Sequence, residues 1–365
     1  MAPFADHVHA SLTLRGGVRK RYTTVAMADA MTKTKRTLAA LGGKDVDRPP
    51  VSAWWHDFPR EWSAAGLAEA TLEAYRKYDW DFIKVNPRFS YYAEDWGANY
   101  VMAADQASQP PLTEPGVSAP EDLARIKPLE VNKGAYGEQL DALRIIAKEL
   151  KKEAPFIQTV FTPLAVMSRI TGSPKYVRKL MRENSHELTM ALHAITETLA
   201  AYSRACLDAG ASGIFFATVE WGTADVISIE DYEIFGRPFD LPVLEAVKGA
   251  PFNVLHVCRA NNHLASLIDY PVAAFHWDVH GEGNPSLLKG AALTDKAVMG
   301  CVSHDRTMAQ PAPADVAIEA ERAIVETGGK RLLLAPGCSI DPSTSEVNLR
   351  ALAQSVRRAI GRPGR

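Results

Sequence analysis

Two short stretches, far apart in the chain, hold the residue types of a soft-metal site. In LHVCR, His256 and Cys258 stand two positions apart, and in LAPGCSI a further cysteine, Cys338, follows a small-residue turn. If His256 and Cys258 close a strand, its two-residue period turns both side chains to one face and Val257 to the other. One imidazole and two thiolates make a borderline-soft donor set that selects zinc, and three protein ligands leave a fourth position open to a substrate. The alternative is that Cys258 and Cys338 are small buried hydrophobes, the commoner fate of a free cysteine.

Other residues compete for, or complement, that chemistry. His276, Asp278 and His280 alternate in FHWDVH and offer a rival metal set; otherwise His276 packs in the interior and Asp278 bonds a neighbouring loop. Asp278 is also a candidate catalytic carboxylate. Glu220 is the other: it follows the apolar run GIFFATV and reads as a general base, a fourth metal ligand or a loop charge. Trp55, His56, Asn86 and His280 are candidate substrate-binding residues, and the aromatic cluster Trp54, Trp55, Phe58 and Trp62 is either core or a wall for a large flat ligand. Cys206, in AYSRACLDAG, reads as structural, while Cys301 is open between ligation and core packing.

The elements that must position these residues form an alternation of short β-branched or aromatic runs with longer helical patterns, the signature of a parallel α/β sheet. Candidate strands are Val51–Trp55, Asp81–Asn86, Phe156–Phe161, Gly213–Thr218, Phe252–Val257, Ala273–Asp278, Ala297–Val302 and Arg331–Pro336. Helical periodicity runs over Tyr136–Lys152, Lys175–Ala209, Pro313–Thr327 and Glu346–Ile360, the last opened by a Ser343/Glu346 capping-box pattern. Eight strands with helices between them predict a single (β/α)8 TIM barrel, whose active site lies at the C-terminal strand ends. That is where His256, Cys258, Asp278 and Cys338 fall.

Bulk composition narrows the classes. The 365 residues are 47% hydrophobic and 23% charged, as in ordinary globular chains. With 41 basic against 43 acidic residues and no basic cluster to track phosphates, nucleic acid is excluded as a partner. No apolar run reaches the roughly 18 residues that a membrane span needs. Four cysteines in so long a chain suit a reduced, cytoplasmic setting. Residues 1–30 lack apolar periodicity and read as a disordered extension, a transit peptide or a start placed ahead of Met27 or Met31; residues 31–365 form the barrel domain.

Over Thr32 to Gly361 the sequence resembles the uroporphyrinogen decarboxylase superfamily, through DRPPVSAWW, DWDFIKVNPRFSYYAEDWG, VFTPL, LHVC, VMGCVS and LAPGCSIDPSTSEVNLRAL. The superfamily holds cofactor-free decarboxylases and zinc-dependent methyltransferases that move methyl groups between a corrinoid and a thiol. WHDFP stands where the decarboxylases carry an arginine pair, and Asn86 where they carry an aspartate. His256, Cys258 and Cys338 match the methyltransferase branch. The resemblance implies zinc on those three residues, a small-molecule thiol or methylated substrate, a corrinoid (cobalamin) as methyl donor or acceptor, free or on a corrinoid protein, and a monomer or homodimer. WWHDFP has no counterpart in the coenzyme M methyltransferases, so another thiol, or demethylation of a methylated small molecule, stays open. The alternatives are a cofactor-free decarboxylase of a tetrapyrrole or other carboxylated ring, and a non-catalytic corrinoid or tetrapyrrole carrier.

Overall fold

The computed structural model describes residues 30–103 and 108–358, so the expectation for residues 1–30 lies outside the described residues except at its last position. Nine strands are present among them: β1 (Ile83–Val85), β2 (Asn99–Tyr100), β3 (Leu112–Glu114), β4 (Phe156–Phe161), β5 (Ile214–Ala217), β6 (Val254–Val257), β7 (Ala274–Trp277), β8 (Ala297–Val302) and β9 (Leu332–Pro336). Seven form one parallel sheet in the order β1-β4-β5-β6-β7-β8-β9, while β2 and β3 make a small antiparallel pair.

Each parallel strand is buried on both faces, and alternate residues feed two cores. Phe215, Ala217, Val254, Ala274, Met299, Leu333 and Ala335 pack inside the curl with Trp54, Phe82 and Ile157. Ile214, Phe216, Leu255, Val257, Phe275, Trp277, Leu332 and Leu334 pack outward under the helices. The register sets Ala217 beside His256, His256 beside His276, and His276 beside Met299, so one interior layer carries both histidines.

The first candidate strand, Val51–Trp55, is the point of difference. It is not a regular strand but a segment with isolated bridges, Val51 to Leu334 and Trp55 to Ile340. The segment nonetheless lies between the two edges of the sheet. On one side Ser52 N donates to Leu334 O (3.1 Å) and Leu334 N to Pro50 O (2.8 Å); on the other Asp81 N donates to Val51 O (2.9 Å) and Ser52 Oγ to Phe82 O (2.8 Å). At its base the buried Asp81 carboxylate accepts from Val51 N (2.9 Å) and pairs with the buried Arg36 (2.6 Å) and Arg48 (2.5 Å).

Two further expectations change in detail. The long helical pattern is two helices, Pro174–Glu183 and Ser185–Asp208, because Asn184 leaves helical geometry at φ −141. The Ser343/Glu346 capping box does not form: Ser343 Oγ donates to Asp341 Oδ1 instead, and Asn348 N and Leu349 N reach the carbonyl of Ser345. Among the described residues no helix is long and apolar enough to cross a membrane.

Candidate functional site

The carboxyl ends of the parallel strands open into a cleft of about 1080 Å³, walled by residues that include Trp54, His56, Lys84, Asn86, Phe215, His256, Cys258, Asp278, His304 and Cys338. His256 sits inside β6, Cys258 directly follows it, and Cys338 follows β9. Their donor atoms all lie within 4.8 Å of one another, and His256 Nε2 is 3.6 Å from Cys338 Sγ.

Backbone contacts hold each donor in place. Cys258 N donates to Thr218 Oγ1 (3.3 Å), and Thr218 N donates to His256 O (3.0 Å), so the end of β5 braces the His-x-Cys segment. The Cys338 turn lies hard against the end of β7: a side chain at Gly337 would place its Cβ 2.7 Å from Asp278 Oδ1 and 2.8 Å from Asp278 Cα. Only glycine tolerates that approach.

His276 decides which nitrogen His256 presents. His276 Nε2 lies 2.9 Å from Pro336 O, a carbonyl that can only accept, so the ring proton is on Nε2. Burial, and then the neighbouring His256, hold His276 well below the usual histidine range, so the ring is neutral and its Nδ1 is bare. That nitrogen is 2.7 Å from His256 Nδ1, which must therefore carry the proton and donate, with His276 O at 3.3 Å as a second acceptor. The lone pair of His256 is left on Nε2, facing Cys338. The two thiols differ as well: donation from Cys258 holds Cys338 well below the usual thiol range, whereas burial pushes Cys258 up.

The other anticipated residues separate. His276 spends both ring nitrogens on protein partners and does not join Asp278 and His280 in a ligand set. Asp278 Oδ1 accepts from His280 N (3.0 Å), and its other oxygen is 3.7 Å from His304 Nδ1. Asp278, His304 and Asp305 form a second group with metal-donor spacing. His280 Nε2 donates to Cys301 O (2.9 Å).

Cys301 itself packs in the outer core. Gly300 and Cys301 both have positive φ, +133 and +115, so the alternation that points Met299 inward is broken and the thiol turns away from the cleft. Cys206 is fully buried, with burial pushing its thiol up.

Glu220 lies behind the cleft wall, in ion contact with Arg169, which lines the cleft. His56 lines the cleft, stacked on Phe58 at 4.7 Å, with its Nδ1 held 2.9 Å from the buried Glu61 carboxylate. Asn86 lines the cleft; Trp55 instead packs edge-on against Tyr78 and lines a smaller neighbouring cavity, while Trp54 faces the main cleft. The 88–121 segment holds the helix Tyr91–Glu94 and the β2/β3 pair.

Lys84 is the residue the sequence reading missed. Its position between Phe82 and Asn86 was the available signal, since strand alternation turns all three to the interior. Its ammonium contacts Asn86 Oδ1, lies 5.0 Å from the Phe215 ring centroid, and burial pushes its pKa down to about 8.

Comparisons with known proteins bear on the family and the fold. The family model described as uroporphyrinogen decarboxylase (URO-D) matches residues 60–359. The chain is 24% identical over 347 residues to methylcobamide:CoM methyltransferase MtbA of Methanosarcina acetivorans, spanning 89% of this chain and 98% of that protein. It is 26% identical to methylcobamide:CoM methyltransferase MtaA of Methanosarcina barkeri, spanning 89% and 97%. Among solved structures, a methyltransferase from Methanosarcina mazei superposes with a TM-score of 0.73 at 23% identity, over 90% of this chain and 98% of that one. A B12-independent methionine synthase from Shewanella sp. W3-18-1 has a TM-score of 0.56 at 14% identity, over 81% and 87%. The last two share the fold.

Proposed function

Taking as premise that the chain belongs to the uroporphyrinogen decarboxylase (URO-D) family, we propose that it is a zinc-dependent methyltransferase moving a methyl group between a corrinoid, or a methylated small molecule, and a thiol. The observation that carries this reading is the convergence of His256 Nε2, Cys258 Sγ and Cys338 Sγ within 4.8 Å at the floor of a cleft. The donor set fits zinc: the imidazole offers a bare nitrogen, and the two cysteines offer sulfur donors beside it. When bound, zinc would hold the sulfur of a substrate thiol and lower its pKa, so that a thiolate is present at neutral pH.

The chain's own residues do the rest. His276 keeps His256 in the ligating tautomer, Thr218 and Gly337 fix the two cysteine-bearing turns, and the Trp54, Phe58 and Phe215 rings exclude water from the floor. Asp278, packed against the Cys338 turn, is a candidate catalytic group, with Glu220 acting through Arg169. His56, Asn86 and His280 line the substrate approach, with Trp55 behind Trp54. We read Val51–Trp55 as the eighth stave of a (β/α)8 barrel spanning residues 31–365. The free state of all four cysteines supports a reduced, cytoplasmic setting.

Metal analysis of the purified protein tests the proposal. About one zinc per chain is expected, lost in His256→Ala, Cys258→Ser and Cys338→Ser together with thiol-dependent demethylation of methylcobalamin. A zinc-free wild type whose activity survives Cys338→Ser would overturn it and favour the metal-free decarboxylase.

A further inference from the structure

Beside the sulfur donors, the cleft carries a second group of ligand-type side chains that methyl transfer does not use as a unit. Asp278 directly follows β7, and His304 and Asp305 follow β8, so two adjacent strand ends bring them together. One donor atom from each lies within 4.8 Å of the other two, and all three residues line the cleft. His304 Nδ1 is buried without a hydrogen-bond partner, although Asp278 Oδ2 is 3.7 Å away and Asp305 Oδ1 4.0 Å. Neither tautomer is satisfied there: a protonated nitrogen has no acceptor in reach, and a bare one turns its lone pair toward two carboxylates. The separations are too long for hydrogen bonds but close to the spacing of neighbouring ligands round one ion, about 3.0–3.5 Å when each bond is about 2.1 Å.

Both carboxylates are also oriented from behind, as metal ligands commonly are. Asp278, 8% exposed, accepts at Oδ1 from His280 N (3.0 Å). Asp305 Oδ1 accepts from Ser303 Oγ (3.0 Å), and Ser303 N in turn donates to Glu319 (2.9 Å). His280 stays outside the group, with its Nε2 spent on Cys301 O. Arg306 meets the group at its rim: its Nε lies 3.9 Å from Asp305 Oδ1, but the side chain is largely exposed and its Nη2 donates to His280 O (2.9 Å).

We propose that Asp278, His304 and Asp305 bind a divalent cation of the manganese(II) or iron(II) kind, at a second metal site separate from the His256, Cys258 and Cys338 set. One imidazole and two carboxylates are harder donors than thiolates and suit such ions, and the two carboxylates balance the double positive charge. The ion gives His304 Nδ1 the partner that the protein withholds. Asp278 packs against the Cys338 turn at Gly337, so the second ion is a neighbour of the sulfur site. No cysteine contributes to it, so it stands or falls apart from the zinc reading.

Manganese(II) titration of the full chain, first given one equivalent of zinc for the cysteines, tests the site by electron paramagnetic resonance, because the sharp signal of free Mn2+ fades on binding. Wild type is expected to take up about one Mn2+ per chain, with the spin-echo modulation of a directly bound imidazole nitrogen. His304→Ala is expected to lose that modulation, and His304→Ala and Asp305→Asn each to weaken binding by about tenfold or more. Cys258→Ser, which removes a sulfur donor only, should bind Mn2+ within about twofold of wild type. If His304→Ala fails to fold, Asp305→Asn, at an exposed residue, carries the test. A wild type that binds no Mn2+ at millimolar concentration would overturn the proposal. So would binding that Asp305→Asn leaves unchanged, binding lost in Cys258→Ser, or bound Mn2+ without the nitrogen modulation, which would mark a surface carboxylate contact.

Discussion

Replacing His276 tests whether the metal donors are oriented from within the fold. His276→Leu keeps the volume of a buried side chain but removes both polar contacts, to Pro336 O at 2.9 Å and to His256 Nδ1 at 2.7 Å. Pro336 O is then buried without a partner, at a cost of about 1–3 kcal/mol. His256 Nδ1 keeps the His276 carbonyl at 3.3 Å, a longer contact, so its share of the loss is smaller. A destabilisation of about 2–3 kcal/mol in urea denaturation follows. The effect on the metal is separate: with its outer nitrogen released, the His256 ring samples orientations and tautomers that do not ligate, which lowers zinc affinity by about 10–100-fold. Chelator competition reads that number directly. His276→Gln offers one acceptor and one donor on its terminal amide, and is expected to recover part of the affinity. If His276→Leu bound zinc within twofold of wild type, however unstable the protein, the tautomer argument would be wrong.

Gly337→Ala is expected to displace the Cys338 turn, because its Cβ would meet Asp278 at 2.7 Å; the variant should lose bound zinc and about 1–3 kcal/mol of stability, read by metal analysis and thermal melting. Asp240 gives a pH signature. Its carboxyl is pushed up to about 7 by burial, against the Tyr232 and Tyr270 hydroxyls that hydrogen-bond to it. The folded protein therefore keeps a proton that the unfolded chain releases near the ordinary carboxylate value, so this group's contribution to stability falls as pH rises from about 4 to about 7 and is level above that. Asp240→Asn should flatten that fall, seen as a smaller difference in melting temperature between pH 5 and pH 8.

Strands with unbroken apolar runs were legible from sequence, and Phe156–Phe161 and Ala297–Val302 coincide with their expected bounds. Val51–Trp55 was harder, because its partners are the two edge strands of the sheet, which it meets only through tertiary contact. His256, Cys258 and Cys338 were readable as a trio because strand period and strand-end position are local properties. The role of His276 was not: whether its nitrogens face a ligand or a carbonyl depends on where β9 ends relative to β7. Cys301 escaped for a different reason, since the two positive φ values that turn it outward override the strand alternation on which the reading rests. The Arg169–Glu220 contact joins residues from separate elements, and no spacing rule anticipates it.

The wall of the cleft is unevenly stiff. A sheet's ladder ties each strand to its immediate neighbours, but His276 acts as a spoke, reaching from β7 to a side chain of β6 and, past β8, to the end of β9. Sliding of these strands along one another is resisted where the thiols stand. Beside β9, the Val51–Trp55 segment is clamped at its base by Asp81 and held at its upper end by Ile340 N donating to Trp54 O (3.1 Å). A bulky planar guest is therefore expected to be admitted by a hinge-like parting of this seam on its side toward β1, which moves Trp54, while the donors tied together through His276 keep their spacing.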